Sequence, residues 1–339
     1  LDSSRTAGQP PPAQAVRRDL VFMCADSGTV LALTYLEARR AVIERAVIFL
    51  ASGQTLWVDA ATSGTGRAAT VERQGRQGAA GYELRMSAQA APLTGASQIT
   101  AAGLSASRPA PVGFTLAVEP VSIETVLADR SGPARSGPSQ SAPSRPVHAQ
   151  MISGSGSLAV GSVIYHLHGS GWSSSAQPGA DGDFAGFRAR AVFQDGSGLF
   201  TTRRTVTGPA QDSSAQDSSA QHSAAPAQDD TAALVRNTEI RQVPVQDLVV
   251  TARGGGPARK IAWTSGGRLP QRVTGEIRST DQSVAWIPAE PGDGHLSASI
   301  TPFIFVRSGV TGLGLVERIS QPDPVSVAPA ALDTLPDPY

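Results

Sequence analysis

The sequence predicts an all-β chain built as two antiparallel barrel-like domains in tandem. Three observations predict it. Apolar runs are short and punctuated by turn residues at near-regular spacing. Gly (35) and Pro (25) are frequent while long helical periodicities are scarce. The second half of the 339 residues repeats the style of the first, and that length suffices for two cores.

In chain order, residues 1–18, with LDSSRTAGQPPPAQ at their head, lack an apolar stretch and read as a disordered arm rather than a secretory signal. DLVFMCADSGTVLALTYLEAR then holds two β-runs around Asp26-Ser27-Gly28, the pattern of a hairpin. AVIERAVIFLASGQTLWVD repeats it around Ser52-Gly53. In VGFTLAVEP, alternation puts Phe114, Leu116 and Val118 on one face, as in a half-buried strand. VSIETVLADR, 121–130, is the one segment with helix-like content and is expected to close the first domain, 19–130, with a short helix. RSGPARSGPSQSAPSRP has no periodicity, and the domain boundary is placed in a linker at 131–150. The second domain, 151–320, runs from SLAVGSVIYHLHGSG to FIFVRSGVTGLGLVERIS. It is interrupted by a degenerate AQDSS repeat, giving an expected disordered insert at 209–230, and followed by a proline-broken tail at 321–339.

Composition excludes several classes. Lys plus Arg (28) balances Asp plus Glu (28), so no electrostatic footprint for nucleic acid exists. No apolar run approaches a membrane span, which leaves peripheral contact as the only expected membrane association; the expected location is cytoplasmic. Cys24 stands alone within an apolar run, so it reads as a small buried hydrophobe, with no disulfide and no Cys-based zinc cage. Nucleophile elbows, HExxH and Walker loops are missing.

The series GSGSLAVGSVIYHLHGSGW, GFRARAVFQDGSGLF and VTGLGLVER, with DLVFMCADSGTVLALTYLEARRAVIERAVIFLASGQTLWVD before it, resembles the AttH/carotenoid 1,2-hydratase-like proteins over roughly residues 19–320. Its most recognisable pieces are F-x-D-G-S at Phe193–Ser197 and G-x-G-x-x-E at Gly312–Glu317. The latter ends a strand and opens no helix, so it is not a dinucleotide fingerprint. The resemblance implies two lipocalin-like β domains. It also implies a cofactor-independent enzyme, a lyase (hydratase) or a cyclase, acting on a lipophilic polyene, terpenoid or polyketide-derived substrate, as in carotenoid or other natural-product biosynthesis. Similar proteins often carry a His or acidic residue beside the tryptophan, where this chain has Ser173, Ser174 and Ser175.

Candidate site residues follow. His166 and His168 share one face of a strand, with Tyr165 and Leu167 on the other. The pair reads as half of a metal site lacking its further ligands, as imidazoles on a wet face, or as pocket acid–base groups beside Tyr165; no metal is expected. Glu317 follows an apolar run, so it is either a desolvated proton donor or a rim carboxylate paired with Arg318 or Arg307. Trp57, Trp172 and Trp263 are core fillers or cavity walls, and Phe193 joins them as a wall residue. Catalysis on a bound lipophile, carriage of an apolar small molecule without chemistry, and a solid structural barrel are the competing functions.

Overall fold

The computed structural model describes residues 16–37, 41–59, 70–75, 81–93, 97–99, 108–127, 147–176, 185–205, 228–236, 239–252, 258–265, 271–279, 282–286 and 297–320. Among them the regular elements are all strands. In the first half these are β1 (Val16–Cys24), β2 (Thr29–Glu37), β3 (Ala41–Phe49), β4 (Thr55–Asp59), β5 (Thr70–Gly75), β6 (Tyr82–Leu93), β7 (Ser97–Ile99), β8 (Ala110–Pro120), β9 (Thr125–Leu127), β10 (Val147–Val160) and β11 (Val163–Ala176). The second half contributes β12 (Ala185–Phe193), β13 (Gly198–Thr205), β14 (Gln228–Arg236), β15 (Glu239–Ala252), β16 (Ala258–Ser265), β17 (Gln271–Ile277), β18 (Val284–Trp286), β19 (Ser297–Arg307) and β20 (Val310–Ser320).

The first sheet is a closed antiparallel barrel in the order β1-β2-β3-β4-β6-β8-β10-β11, with β11 returning to pair β1. Closure removes the unpaired edges that an open sheet would expose. The second sheet runs β17-β16-β15-β14-β13-β12-β20-β19 and curls until β17 also pairs β19. A short strap crosses between the halves: β7 lies parallel to β18, which rests on β19.

The two expected hairpin turns form, at 25–28 and 51–54, and Gly28 (φ 62°) and Gly53 (φ 89°) occupy left-handed backbone that a β-carbon would strain. The expected alternation in β8 also holds, with Val112, Phe114, Leu116 and Val118 buried and facing inward. Two expectations fail. The linker at 131–150 does not separate the sheets, because β10 and β11 supply the last two staves of the first barrel. A proline- and serine-rich break marks a connection between strands, and here that connection is internal to one ring. The helix expected over 121–130 is extended chain leading into β9, within its described part, 121–127. Val121, Ile123, Thr125 and Val126 are β-branched, and Val121 N–H donates to the Met151 carbonyl at 2.9 Å. The N-terminal arm through 15, the linker stretch 128–146, the repeat at 206–227 and the tail after 320 lie outside the described residues; Gln228 to Asp230 of the expected insert open β14.

The repeated GSG triplets have a packing reason. Gly154 and Gly156 of β10 and Gly169 and Gly171 of β11 alternate along the barrel's inner side. A β-carbon at Gly156 would sit 1.9 Å from the Thr115 carbonyl oxygen, and at Gly169 or Gly171 2.0 Å from those of Met23 or Val21. Only glycine lets these strands bend so close to their neighbours.

Three apolar cores result. One fills the first barrel, with Phe22, Leu33, Leu84, Phe114 and Leu116 among its members. Another fills the second, around Phe187, Trp263, Phe303 and Phe305. The third lies between them, where Val21, Val30, Phe49, Trp57 and Met151 meet Phe200, Val235, Ile300 and Leu315.

Candidate functional site

The sequence-predicted site residues are scattered by the fold. His166 and His168 point outward from β11 and are exposed, Leu167 between them is buried, and Tyr165 is half-buried against the first barrel's core. No group of three metal-ligating side chains gathers among the described residues. Trp172 and Trp57 both lie in the seam between the sheets, as fillers rather than walls of a hollow. The Trp172 indole N–H donates to the Ala191 carbonyl of β12 at 3.1 Å, and its ring meets Phe200 edge-on at 5.7 Å. Trp57 donates to Asp59 at 2.7 Å. Phe193 and Trp263 are buried in the second barrel's own core. His222 and His295 fall outside the described residues.

Glu317 has other partners than expected. It accepts from Arg45 of β3 at 3.0 Å and lies 3.6 Å from Arg188, its cross-strand neighbour on β12. These contacts belong to a polar strip along one edge of the seam. Asp19 of β1 lies 3.8 Å from Arg188 and 3.7 Å from Arg190, and accepts from the Thr34 hydroxyl at 2.8 Å. Burial alone would raise the Asp19 carboxyl, but Arg17, Arg190, Arg188 and Thr34 together outweigh it and hold it at about 2. With guanidinium groups against both of its oxygens, Glu317 ties the two sheets together.

The two motifs of the resemblance also meet, for structural reasons. Phe193 pairs Gly312 across β12 and β20, and a β-carbon at Gly312 would come within 2.7 Å of the Phe193 ring. Asp195 caps the turn by accepting from the Ser197 N–H at 3.1 Å and pairs Arg307 at 3.0 Å, while Arg307 covers the Phe193 ring at 4.5 Å.

A cluster the sequence reading missed lies at one end of the first barrel. Its residues occupy the inward-facing phase at strand ends: Arg18 (β1), Tyr35 and Glu37 (β2), Arg73 (β5), Tyr82 (β6) and Ser173 (β11). Arg18 donates to one Glu37 oxygen, and Arg73 to the other at 3.2 Å. The Arg73 guanidinium also lies over the Tyr82 ring at 4.2 Å. Tyr35 and Tyr82 are buried, at 2% and 8% exposure, whereas the side chains of Arg18, Glu37 and Arg73 retain 23%, 29% and 31%.

Four of the six ring members sit two residues from an apolar wall position on the same strand: Arg18 from Leu20, Tyr35 from Leu33, Arg73 from Val71 and Tyr82 from Leu84. The result is a polar ring over a greasy one. Burial raises the Tyr35 hydroxyl far above its ordinary range, with Tyr82 adding to the rise and Arg73 and Arg18 offsetting part of it. Burial likewise raises Tyr82, against the opposing pull of a hydrogen bond with Ser173 and of the two arginines. Both are therefore neutral hydrogen-bond donors at physiological pH. Glu37 goes the other way: burial would raise it, but the hydrogen bonds and charges of Arg18 and Arg73 bring it below its ordinary value. The signal that could have found this ring was parity: in LALTYLE, Leu31, Leu33, Tyr35 and Glu37 share the inward phase, and polarity enters it only at the end.

No family model matches the chain, and no curated protein does. Solved structures do. CghA, crystallised with Sch210972, is matched at 13% identity and a TM-score of 0.48 over 91% of this chain and 89% of its own. An AttH protein from Nitrosomonas europaea is matched at 15% and 0.49 over 94% and 99%. Kievitone hydratase from Nectria haematococca is matched at 11% and 0.43 over 92% and 90%. The second of these bears the AttH name of the group that the sequence resembles. At such identities and TM-scores the chemistry rests on this chain's own side chains.

Proposed function

We propose that this chain is an enzyme that takes a lipophilic polyene or polyketide-derived molecule at the polar end of its first barrel and promotes its cyclisation there without a cofactor. The observation that carries the reading is the ring of two neutral phenols and two guanidiniums set directly above apolar wall residues. An apolar wall fixes a flexible chain in one conformation, and that lost freedom is removed from the barrier. Phenol O–H groups aimed at a carbonyl stabilise charge that grows on its oxygen in the transition state.

Between the two reactions implied by the resemblance, the ring favours cyclisation. Hydration of an unactivated alkene needs an acid strong enough to protonate carbon. Glu37 is held as a carboxylate and has no proton to give, and Tyr35 and Tyr82 are too weakly acidic. Ring closure needs shape and hydrogen-bond donors, which are present. Non-catalytic carriage has its own support, since the imidazoles of His166 and His168 face away from the barrel's interior.

The test is incubation of the full chain with linear conjugated polyenes bearing a carbonyl-activated alkene, followed by chromatography and mass analysis. Cyclisation leaves the mass unchanged and shifts the retention time; hydration adds one water. Tyr35→Phe and Tyr82→Phe are each expected to slow conversion about tenfold or more while the fold persists. A bound polyene recovered unchanged would leave the carrier reading standing and remove the enzymatic one.

A further inference from the structure

The outer side of β11 carries two imidazoles that the proposed chemistry does not use. β11 pairs β10 without a bulge from Val163 to Ser175, so its side chains alternate strictly between the two sides of the sheet. Leu167 is 2% exposed in the first barrel's core. That burial fixes His166 and His168, one on each side of it, on the outer surface, where both are exposed. Two residues of extended chain span about 6.6 Å. Both imidazoles therefore rise from one side of a strand that its neighbour holds along its length.

The surroundings leave the pair accessible. His166 faces Ser157 and His168 faces Ser155 on β10, and the next stave, β8, sets Thr115 and Ala117 beside those serines. None of these four residues is bulky or cationic, so none of them screens or repels a positive ion. On the other flank the pairing with β1 ends at Met23 and Ser170, before it reaches the histidines. Cys24 is buried in the core on the opposite side of the sheet.

Imidazole nitrogens bind zinc at about 2.0–2.1 Å, so two of them at right angles on one such ion stand about 3 Å apart. Rotation of the two rings towards each other closes the difference from the spacing of their Cα atoms. A structural zinc site needs four protein ligands, and no third His, Cys, Asp or Glu joins the pair among the described residues. A tetragonal ion that fills its other positions with water needs no more than the two. Imidazole suits copper and nickel, and affinity along the first row peaks at Cu2+.

We propose that His166 and His168 form a solvent-open, two-point chelate for a late divalent transition ion, Cu2+ foremost and Ni2+ or Zn2+ more weakly. The site lies outside the barrel and is independent of the cyclisation proposed for the polar end.

The test is titration of the full chain with Cu2+ against citrate, a competitor with oxygen donors only, followed by electron paramagnetic resonance. The first equivalent should show splitting from two imidazole nitrogens, and Ni2+ and Zn2+ should displace it poorly. His166→Gln and His168→Gln should each weaken binding about tenfold or more, and the double variant little further, because a single imidazole cannot chelate. His148→Gln, near the other end of β10, should change nothing. Tryptophan emission matching the wild type verifies that the variants are folded. The proposal is overturned if the first equivalent survives the double variant, if only one of the two histidines matters, or if His148→Gln weakens binding as much.

Discussion

Asp19 offers the sharpest quantitative test of how the two sheets are joined. Its side chain is 16% exposed and lies among guanidiniums of its own strand and of β12. The carboxyl falls from an ordinary 3.8 to about 2. At about 1.4 kcal/mol per pH unit, that displacement is worth roughly 2–3 kcal/mol of stability at neutral pH. The folded-state value lies below the unfolded one. The contribution is therefore complete above roughly pH 5 and is lost as the pH falls through 4 towards 2. Asp19→Asn keeps the shape and the Thr34 contact but removes the carboxylate that Arg188 and Arg190 face, a change that costs up to about 3–5 kcal/mol when an ion pair is buried. Urea unfolding at pH 7, 5 and 3, followed by tryptophan emission, reads both quantities. The wild type should lose more stability than Asp19→Asn between pH 5 and pH 3, so the two curves converge in acid. Parallel curves would refute the argument that Asp19 is held ionised by its arginine neighbours.

Two further perturbations bear on the architecture. Trp172→Ala removes a fully buried indole from the seam together with its bond to Ala191 and its contact with Phe200; a loss of about 3–5 kcal/mol is expected in chemical denaturation. Limited proteolysis should then cut between the barrels sooner than in the wild type. Gly156→Ala drives a β-carbon into the Thr115 carbonyl, so at least about 2 kcal/mol of stability should vanish, measured as a lowered urea midpoint, whereas alanine at Gly75, with nothing within 4 Å, should cost about 1 kcal/mol or less.

Local features of the fold were legible in the sequence. The turns at Gly28 and Gly53 need left-handed backbone, and the alternation through Phe114, Leu116 and Val118 needs a sheet with one buried side. Burial of Cys24 likewise follows from its apolar neighbours. The domain boundary was not legible, because a serine- and proline-rich tract has the same composition whether it joins two barrels or two staves of one. Partnerships were not legible either. Glu317 meets Arg45 across 272 residues of sequence, and no local pattern in VTGLGLVER names that partner. Tyr35, Arg73 and Tyr82 resemble ordinary strand-end residues until closure of the ring brings them round one opening.

The pairing of β1 with β11 sets an order of events during synthesis. β1 waits for its second neighbour until translation has passed β11, and in the meantime a half-formed sheet exposes both its backbone edge and the apolar side of β1. Long-range pairing of this kind slows folding and invites association between nascent chains. A fragment stopping at residue 130 should consequently aggregate more readily than one extended through Ala176, which closes the ring.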